Sequence, residues 1–307
     1  MSFLFLFLDG VGLGANDPST NPFALAEMPH LVDLLGGRRM VGDSSLRLET
    51  PRASLVALDA CMGVDGAPQS ATGQASLLTG LNIPAQIGYH YGPKPDAAVS
   101  QSINNGNLFS QLSHAGYHTC LLNAYPPRYF EWIKSGRRLP GAIAQAARSA
   151  GLALMTADDL YAGRGFSADF TGEGWREHLG YKDAPLYSAW QAGERLAEQA
   201  RSYDFSMFEF WPSDVAGHRQ DMAQAVSLLE SFDQVLGGLF TAWQDEHDVI
   251  LITSDHGNLE DLSTRRHTRN PVPCLVIGSQ KNRRTLINSL VDLSGVTPQI
   301  IEIITCQ

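Results

Sequence analysis

The sequence is short of charge, and of positive charge most of all. Only 18% of its 307 residues are charged, and 22 Lys and Arg stand against 32 Asp and Glu, a formal net charge of −10. That balance excludes a basic coat for nucleic acid. It leaves room for small anionic substrates, because the charge lining one site can oppose the charge of the whole. Cysteine is sparse as well. Cys61, Cys120, Cys274 and Cys306 lie far apart with no Cys-x-x-Cys pair, which argues against a disulfide framework or a zinc ribbon and points to reduced thiols. Long apolar runs are missing. The opening stretch to Leu8 is too short to span a bilayer and lacks the basic start of a secretory leader. A cytoplasmic protein with no membrane and no nucleic-acid partner is the expectation. No low-complexity tract or internal repeat interrupts the chain. At 44% hydrophobic residues it is expected to fold throughout, around one large core or one core with a small appendage.

What is present is alternation. Apolar runs predict strands at Ser2–Leu8, Ala53–Ala60, Thr119–Asn123, Phe205–Phe210, Val249–Thr253 and Val272–Ile277. Helical spacing predicts helices at Phe23–Leu35, Gln74–Thr79, Leu108–Ala115, Gly141–Ala150, Ser188–Arg201, Asp221–Trp243, Arg284–Leu293 and Thr297–Ile304. Pro68–Gly73 reads as a turn. Strands alternating with helices imply an α/β fold, with a mostly parallel central sheet covered on both faces. Between Ile83 and Leu186 the character shifts to prolines, glycines and aromatics, read here as loops with a short helix and, in part, a cap or lid. The expected core is then residues 1–82 and 187–307, with 83–186 divided between core and cap.

Asp9, Asp214 and Asp255 each follow a predicted strand. Open α/β sheets bind ligands outside the carboxyl ends of their strands. Three carboxylates gathered at one edge repel each other unless a cation lies between them. Singly, each Asp is as readily a helix cap or turn former, and a lone His is usually structural. The histidines change the weighing: Asp214-Val-Ala-Gly-His218 and Asp255-His256 pair carboxylate with imidazole, and His267 follows before the next strand. Asp and His ligands together suit zinc or manganese.

Five motifs stand in a telling order: Leu8-Asp9-Gly-Val-Gly12, Ser70-Ala-Thr-Gly73, Asp214-Val-Ala-Gly-His218, Thr253-Ser-Asp255-His256-Gly-Asn258 and His267-Thr-Arg-Asn-Pro-Val-Pro273. In these the chain resembles the metalloenzyme branch of the alkaline phosphatase superfamily, which includes cofactor-independent phosphoglycerate mutases and phosphopentomutases. The resemblance implies an alkaline phosphatase-like fold with two divalent metal ions, manganese or zinc, magnesium being a further option. It implies that Asp214, His218 and His267 hold one ion and Asp9, Asp255 and His256 the other. Ser70 would be the nucleophile and touch a metal, with Thr72 as its rival. The family's mutases usually carry His after the Gly of the nucleophile motif, where this chain has Gln74. Thr72, Gln74, Arg128 and Arg269 are the candidate contacts to substrate, with Arg269 favoured for its place between His267 and Pro271. The family's longer mutases also carry an Asp-Gly-Arg-Asp-Thr stretch that is missing here.

The expected reaction is phosphoryl transfer through a phosphoserine, ending in hydrolysis of a small phosphorylated metabolite. The alternative is a phosphomutase with the same metal core. A phosphodiesterase, a sulfatase and a non-catalytic binding protein rank behind. The completeness of the ligand set argues against the last of these. A dinucleotide-binding dehydrogenase is a fold-level competitor, but the full phosphate-loop glycine pattern is missing after Asp9.

Overall fold

Phe3 to Leu8 is apolar without a break because both faces of that strand are covered. The computed structural model, which describes residues 1–306, places it inside a seven-stranded sheet. The strands are β1 (Phe3–Leu8), β2 (Arg47–Glu49), β3 (Ala53–Leu58), β4 (Thr119–Leu121), β5 (Phe205–Phe210), β6 (Val249–Thr253) and β7 (Val272–Ile277), in the order β2-β3-β7-β6-β1-β5-β4. Strand β1 pairs in parallel with β5 and β6, and β4 with β5. Strand β7 runs against both β6 and β3, and β2 against β3. The sheet is mostly parallel, as expected. The reversed β7 was not legible, because an apolar run carries no direction.

Side chains alternate across β1. Leu4, Leu6 and Leu8 enter one core with Phe208, Phe210, Ile250 and Ile252. Phe3, Phe5 and Phe7 enter the other with Phe205, Met207, Val249 and Leu251. The first core is closed by helices Ala189–Ala200 and Met222–Ala242. Ser188 starts the former with a capping box, and the Asp221 side chain accepts from the Gln224 amide to start the latter. The second is closed by Ser70–Thr79, Ala97–Asn105, Leu108–His114, Ala142–Ser149 and Val296–Thr305.

Four expectations need correction. The single helix Phe23–Leu35 is two, Pro22–Leu25 and Pro29–Leu34, since Pro29 has no amide to continue the first and starts the second instead. Ser70–Thr79 is one helix, so the motif expected in a turn lies in a helix's first turn. The stretch from Ile83 to Leu186 holds more helix than expected, including Ile83–Ile87, Ala97–Asn105 and Pro127–Lys134. Pro84 and Pro127 sit in first turns, where a missing amide costs nothing. The helix expected at Arg284–Leu293 runs Gln280–Ile287, started by the Ser279 side chain. No described helix is long and apolar enough to cross a membrane.

Candidate metal centre

The site forms where β1, β5 and β6 end. Asp9 follows β1 and continues the ladder through its amide to the Phe210 carbonyl at 3.1 Å. Gly10 then turns with φ +69°, and a Cβ there would lie 2.6 Å from Asp214 Oδ1. Only glycine lets the end of β1 come this close to the next ligand. Asp214 and His218 stand four apart on helix Pro212–Arg219 and so share a face, with Oδ2 and Nε2 3.3 Å apart. Asp255 and His256 follow β6 and are wholly buried. His267 arrives on the loop before β7.

Two ligand groups result. Asp214, His218 and His267 offer atoms within 4.8 Å of one another, as do Asp9, Asp214 and His256. Asp214 therefore belongs to both. Asp255 joins the second group, its Oδ2 3.5 Å from His256 Nε2, while Asp9 Oδ1 is 3.4 Å from the same nitrogen. In each His the other ring nitrogen faces a backbone carbonyl. Nδ1 lies 2.9 Å from Arg265 O in His218, 2.9 Å from Pro68 O in His267 and 3.3 Å from Gly257 O in His256. Such contacts set the tautomer and turn Nε2 inward as a ligand. The group around His256 is deep, whereas the His218 side chain is 44% exposed.

The electrostatics call for a cation. Burial, then the charges of Asp255 and Asp214, push the Asp9 carboxyl well up. Burial and Asp214 push Asp255 to about 8. Burial pushes His256 well below the usual imidazole range and His267 down as well, so both are neutral and ready to coordinate. Asp9 Oδ1 is buried with no hydrogen-bond partner among the described residues, an acceptor aimed into the gap between ligands. Divalent ions would neutralise the crowded carboxylates and take up that atom. The donor set of oxygen and imidazole nitrogen, without thiolate, fits zinc or manganese.

Ser70 is the first residue of the helix it opens, and its Oγ lies 3.0 Å from His256 Nε2. Gly73 brings that helix against β6, since a Cβ there would stand 2.8 Å from the Asp255 carbonyl oxygen. Thr72 has the opposite fate. Its Oγ1 donates toward Gln69 O and Tyr91 O (3.1 and 3.3 Å), accepts from Tyr91 N at 3.1 Å, and is fully buried. The hydroxyl is occupied in holding the backbone of Tyr91. Gln74 Nε2 donates to Asp255 Oδ2 at 3.0 Å and reaches Asp9 Oδ2 at 3.5 Å, so it contacts the ligand carboxylates directly. Arg128 is exposed, its guanidinium 4.4 Å from the Trp132 ring centroid on its own helix. Arg269 is exposed two residues after His267, its charge felt by Cys61 and His90.

Three further residues bear on the centre, two by holding it together and one by its charge. Asn258 holds Asp214. Glu260, 1% exposed, accepts from the amides of Gly12 and Asn258 and from Asn270 Nδ2, joining the loops that carry the ligands. Glu209 lies near enough to raise the Asp9 carboxyl. A signal for Glu209 was available, since it is the one charge in the apolar strand Phe205–Phe210.

Solved structures share this sheet and its covering helices. Alkaline phosphatase from the Antarctic bacterium TAB5 shares the fold with a TM-score of 0.55 at 12% identity, over 99% of this chain and 97% of that one. The PH0037 protein of Pyrococcus horikoshii gives 0.58 at 14% identity, over 100% and 97%. A family model, the Metalloenzyme superfamily, matches residues 1–307, and the chain belongs to that superfamily. Curated relatives include the 2,3-bisphosphoglycerate-independent phosphoglycerate mutase of Moorella thermoacetica, 28% identical over 133 residues (41% of this chain, 26% of the relative). That of Acetivibrio thermocellus is 32% identical over 107 residues (32% and 21%). The chain spans about a quarter of the length of the curated relatives it matches.

Proposed function

We propose that the chain transfers phosphoryl groups through Ser70 at a centre of two divalent ions, manganese or zinc, with magnesium as a further option. The observation that carries this reading is the Ser70 hydroxyl, 3.0 Å from His256 Nε2 and facing the buried carboxylate–imidazole cage. Asp214, His218 and His267 would hold one ion and Asp9, Asp255 and His256 the other, with Ser70 beside the second. Such ions supply positive charge that favours the serine alkoxide and the developing charge on phosphorus oxygens.

In this reading Ser70 Oγ attacks phosphorus in line. The Oγ–P bond forms and the hydroxyl proton is released. The bond from phosphorus to the leaving oxygen breaks, and that oxygen takes up a proton. A second displacement frees Ser70 by transfer to a hydroxyl of the substrate, a mutase, or to water, a hydrolase. The sequence alone favours hydrolysis. The relatives are phosphoglycerate mutases, which favours transfer back to the substrate, and we adopt that as the better-supported outcome. The substrate is a small phosphorylated metabolite. Gln74 orients ligand carboxylates, and Arg269 is the exposed cation that meets substrate. Thr72 supports the helix, and Arg128 belongs to the outer wall. The stretch around helix Pro127–Lys134 serves as the cap, and the protein works in the cytoplasm.

Ser70→Ala tests the reading. With manganese or zinc restored, the variant should bind both ions yet turn over no phosphate ester. A phosphoserine at position 70 should be detectable by mass spectrometry in the unmodified enzyme. Full turnover by the variant would exclude the covalent route.

A further inference from the structure

The two edges of the sheet are treated differently. Just beyond β4 the chain covers its own edge. There the Phe166 amide donates to Leu122 O at 2.9 Å, the Ala124 amide to Phe166 O at 2.8 Å and the Tyr125 amide to Met155 O at 2.9 Å. The opposite edge, β2, pairs with β3 and has no strand on its other side among the described residues. An uncovered edge is a template for another strand.

Which groups this edge offers follows from its register. Arg47, Leu48 and Glu49 lie opposite Val56, Leu55 and Ser54. The Ala57 amide donates to Leu46 O at 3.2 Å, and the Thr50 amide to Ala53 O at 2.8 Å. Leu46, Leu48 and Thr50 therefore turn their backbone groups toward β3, and Arg47 and Glu49 turn theirs outward. The next outward positions have no amide to give. That of Ser45 is taken by Asp43 Oδ1 at 2.8 Å, and Pro51 has none. The amides left for a new strand are those of Arg47 and Glu49.

The hairpin that presents them is braced from within. Arg283, 4% exposed, donates through Nη1 to Thr50 O (2.8 Å) and Ser54 Oγ (3.2 Å), and through Nη2 to Pro51 O (3.0 Å). Arg52 reaches Phe240 O at 3.1 Å and pairs with Asp245 at 2.6 Å. The side chains of Arg47 and Glu49 are exposed and form no ion pair among the described residues, whereas Leu48 is half-buried against the first core.

We propose that β2 is a dimer edge, on which a second copy of this chain pairs antiparallel about a two-fold axis at Leu48. In that register Arg47 faces Glu49 of the partner subunit on either side of the axis, and the facing residues exchange both backbone hydrogen bonds. On the opposite face Leu48 meets its own copy. Sliding one strand by two residues sets Arg47 against Arg47, or Glu49 against Glu49, and like charges directly opposite destabilise a strand pair. Charge on an edge ordinarily keeps strands apart. Here each copy carries one charge of either sign, so the two-fold turns repulsion into attraction and selects a second copy over an unrelated strand. So short an edge makes a dimer that forms as protein concentration rises.

Sedimentation equilibrium of the metal-loaded chain over a wide range of concentration tests this. The parent should pass from monomer to dimer. Arg47→Glu and Glu49→Arg each set like charges opposite one another, and each should weaken self-association at least about tenfold while keeping the parent's Tm. Mixed in equal amounts, the two variants should form a heterodimer of parental strength, since each supplies the charge that the other lacks. The double variant Arg47→Glu/Glu49→Arg should regain self-association. A parent that stays monomeric throughout overturns the proposal. So does a dimer indifferent to both charge reversals, or one that mixing fails to restore.

Discussion

Asn258 holds Asp214 twice, its Nδ2 donating to Oδ1 at 2.7 Å and to the backbone carbonyl at 3.2 Å. Asp214 belongs to both candidate ligand groups, so this amide bears on both of them. The arrangement couples the loop after β6 to helix Pro212–Arg219. Asn258→Ala should leave the Asp214 carboxylate free to rotate. We expect affinity for the outer ion, at Asp214, His218 and His267, to fall about 10- to 100-fold, the usual effect of removing a group that orients a ligand. Dialysed variant should then retain about one ion per chain where the parent retains about two. Calorimetric metal titration checks this. Unchanged stoichiometry and affinity would mean that the helix alone orients Asp214.

The raised carboxyls give the metal-free protein a distinctive pH dependence. Asp255 sits at about 8 when folded, far above an unfolded carboxylate. Through the interval between, the folded state binds more protons than the unfolded chain, so stability falls as pH rises. His256 and His267 are held low and act in the opposite sense, but only up to the ordinary imidazole range. From about pH 6.5 to 8 the carboxyls therefore decide. Tm of the metal-free protein should fall across that window, while metal affinity climbs because each ion must displace a proton. Gln74 donates to Asp255 and holds it down, so Gln74→Ala should move both trends to higher pH. Melting curves in chelator and in manganese decide the point. A metal-free Tm that rises from neutral pH to 8 would contradict the account.

Much of this centre was legible because chemistry broke a pattern. Phe3–Leu8 and Val249–Thr253 are uniformly apolar, so the Asp residues that follow stand out. Asp214 and His218 stood out as a carboxylate and an imidazole four residues apart, although the helix Pro212–Arg219 that carries them was not expected. The helix Ser70–Thr79 did not, for a physical reason: all ten of its residues are buried, so no polar face marks a period, and Ser, Thr, Gly and Gln look like a loop by composition. The prolines between Ile83 and Leu186 misled in the same way, since Pro84 and Pro127 begin helices rather than break them. Glu260 could not be weighed from sequence, because its donors come from positions 12, 258 and 270 and only folding brings them together.

Glu260 also yields the sharpest test of how the loops are organised. Its carboxylate takes the Gly12 amide at 2.9 Å, the Asn258 amide at 2.8 Å and Asn270 Nδ2 at 3.0 Å, with the Thr268 hydroxyl as a further donor. These come from the loops after β1, after β6 and before β7, which between them carry Asp9, Asp255, His256 and His267. Glu260→Ala would leave those donors without their acceptor, at a cost of about 1–3 kcal/mol for each one that stays buried. Glu260→Gln keeps the shape but replaces one acceptor oxygen with an NH2 that meets another donor, so a smaller loss of about 1–3 kcal/mol is expected. In both variants affinity should fall for both ions together, in contrast to Asn258→Ala, because all three loops loosen at once. Urea denaturation of the metal-free proteins measures the first effect and metal titration the second. Should Glu260→Gln match the parent in both, the carboxylate merely fills space, and the loops are held by their strands.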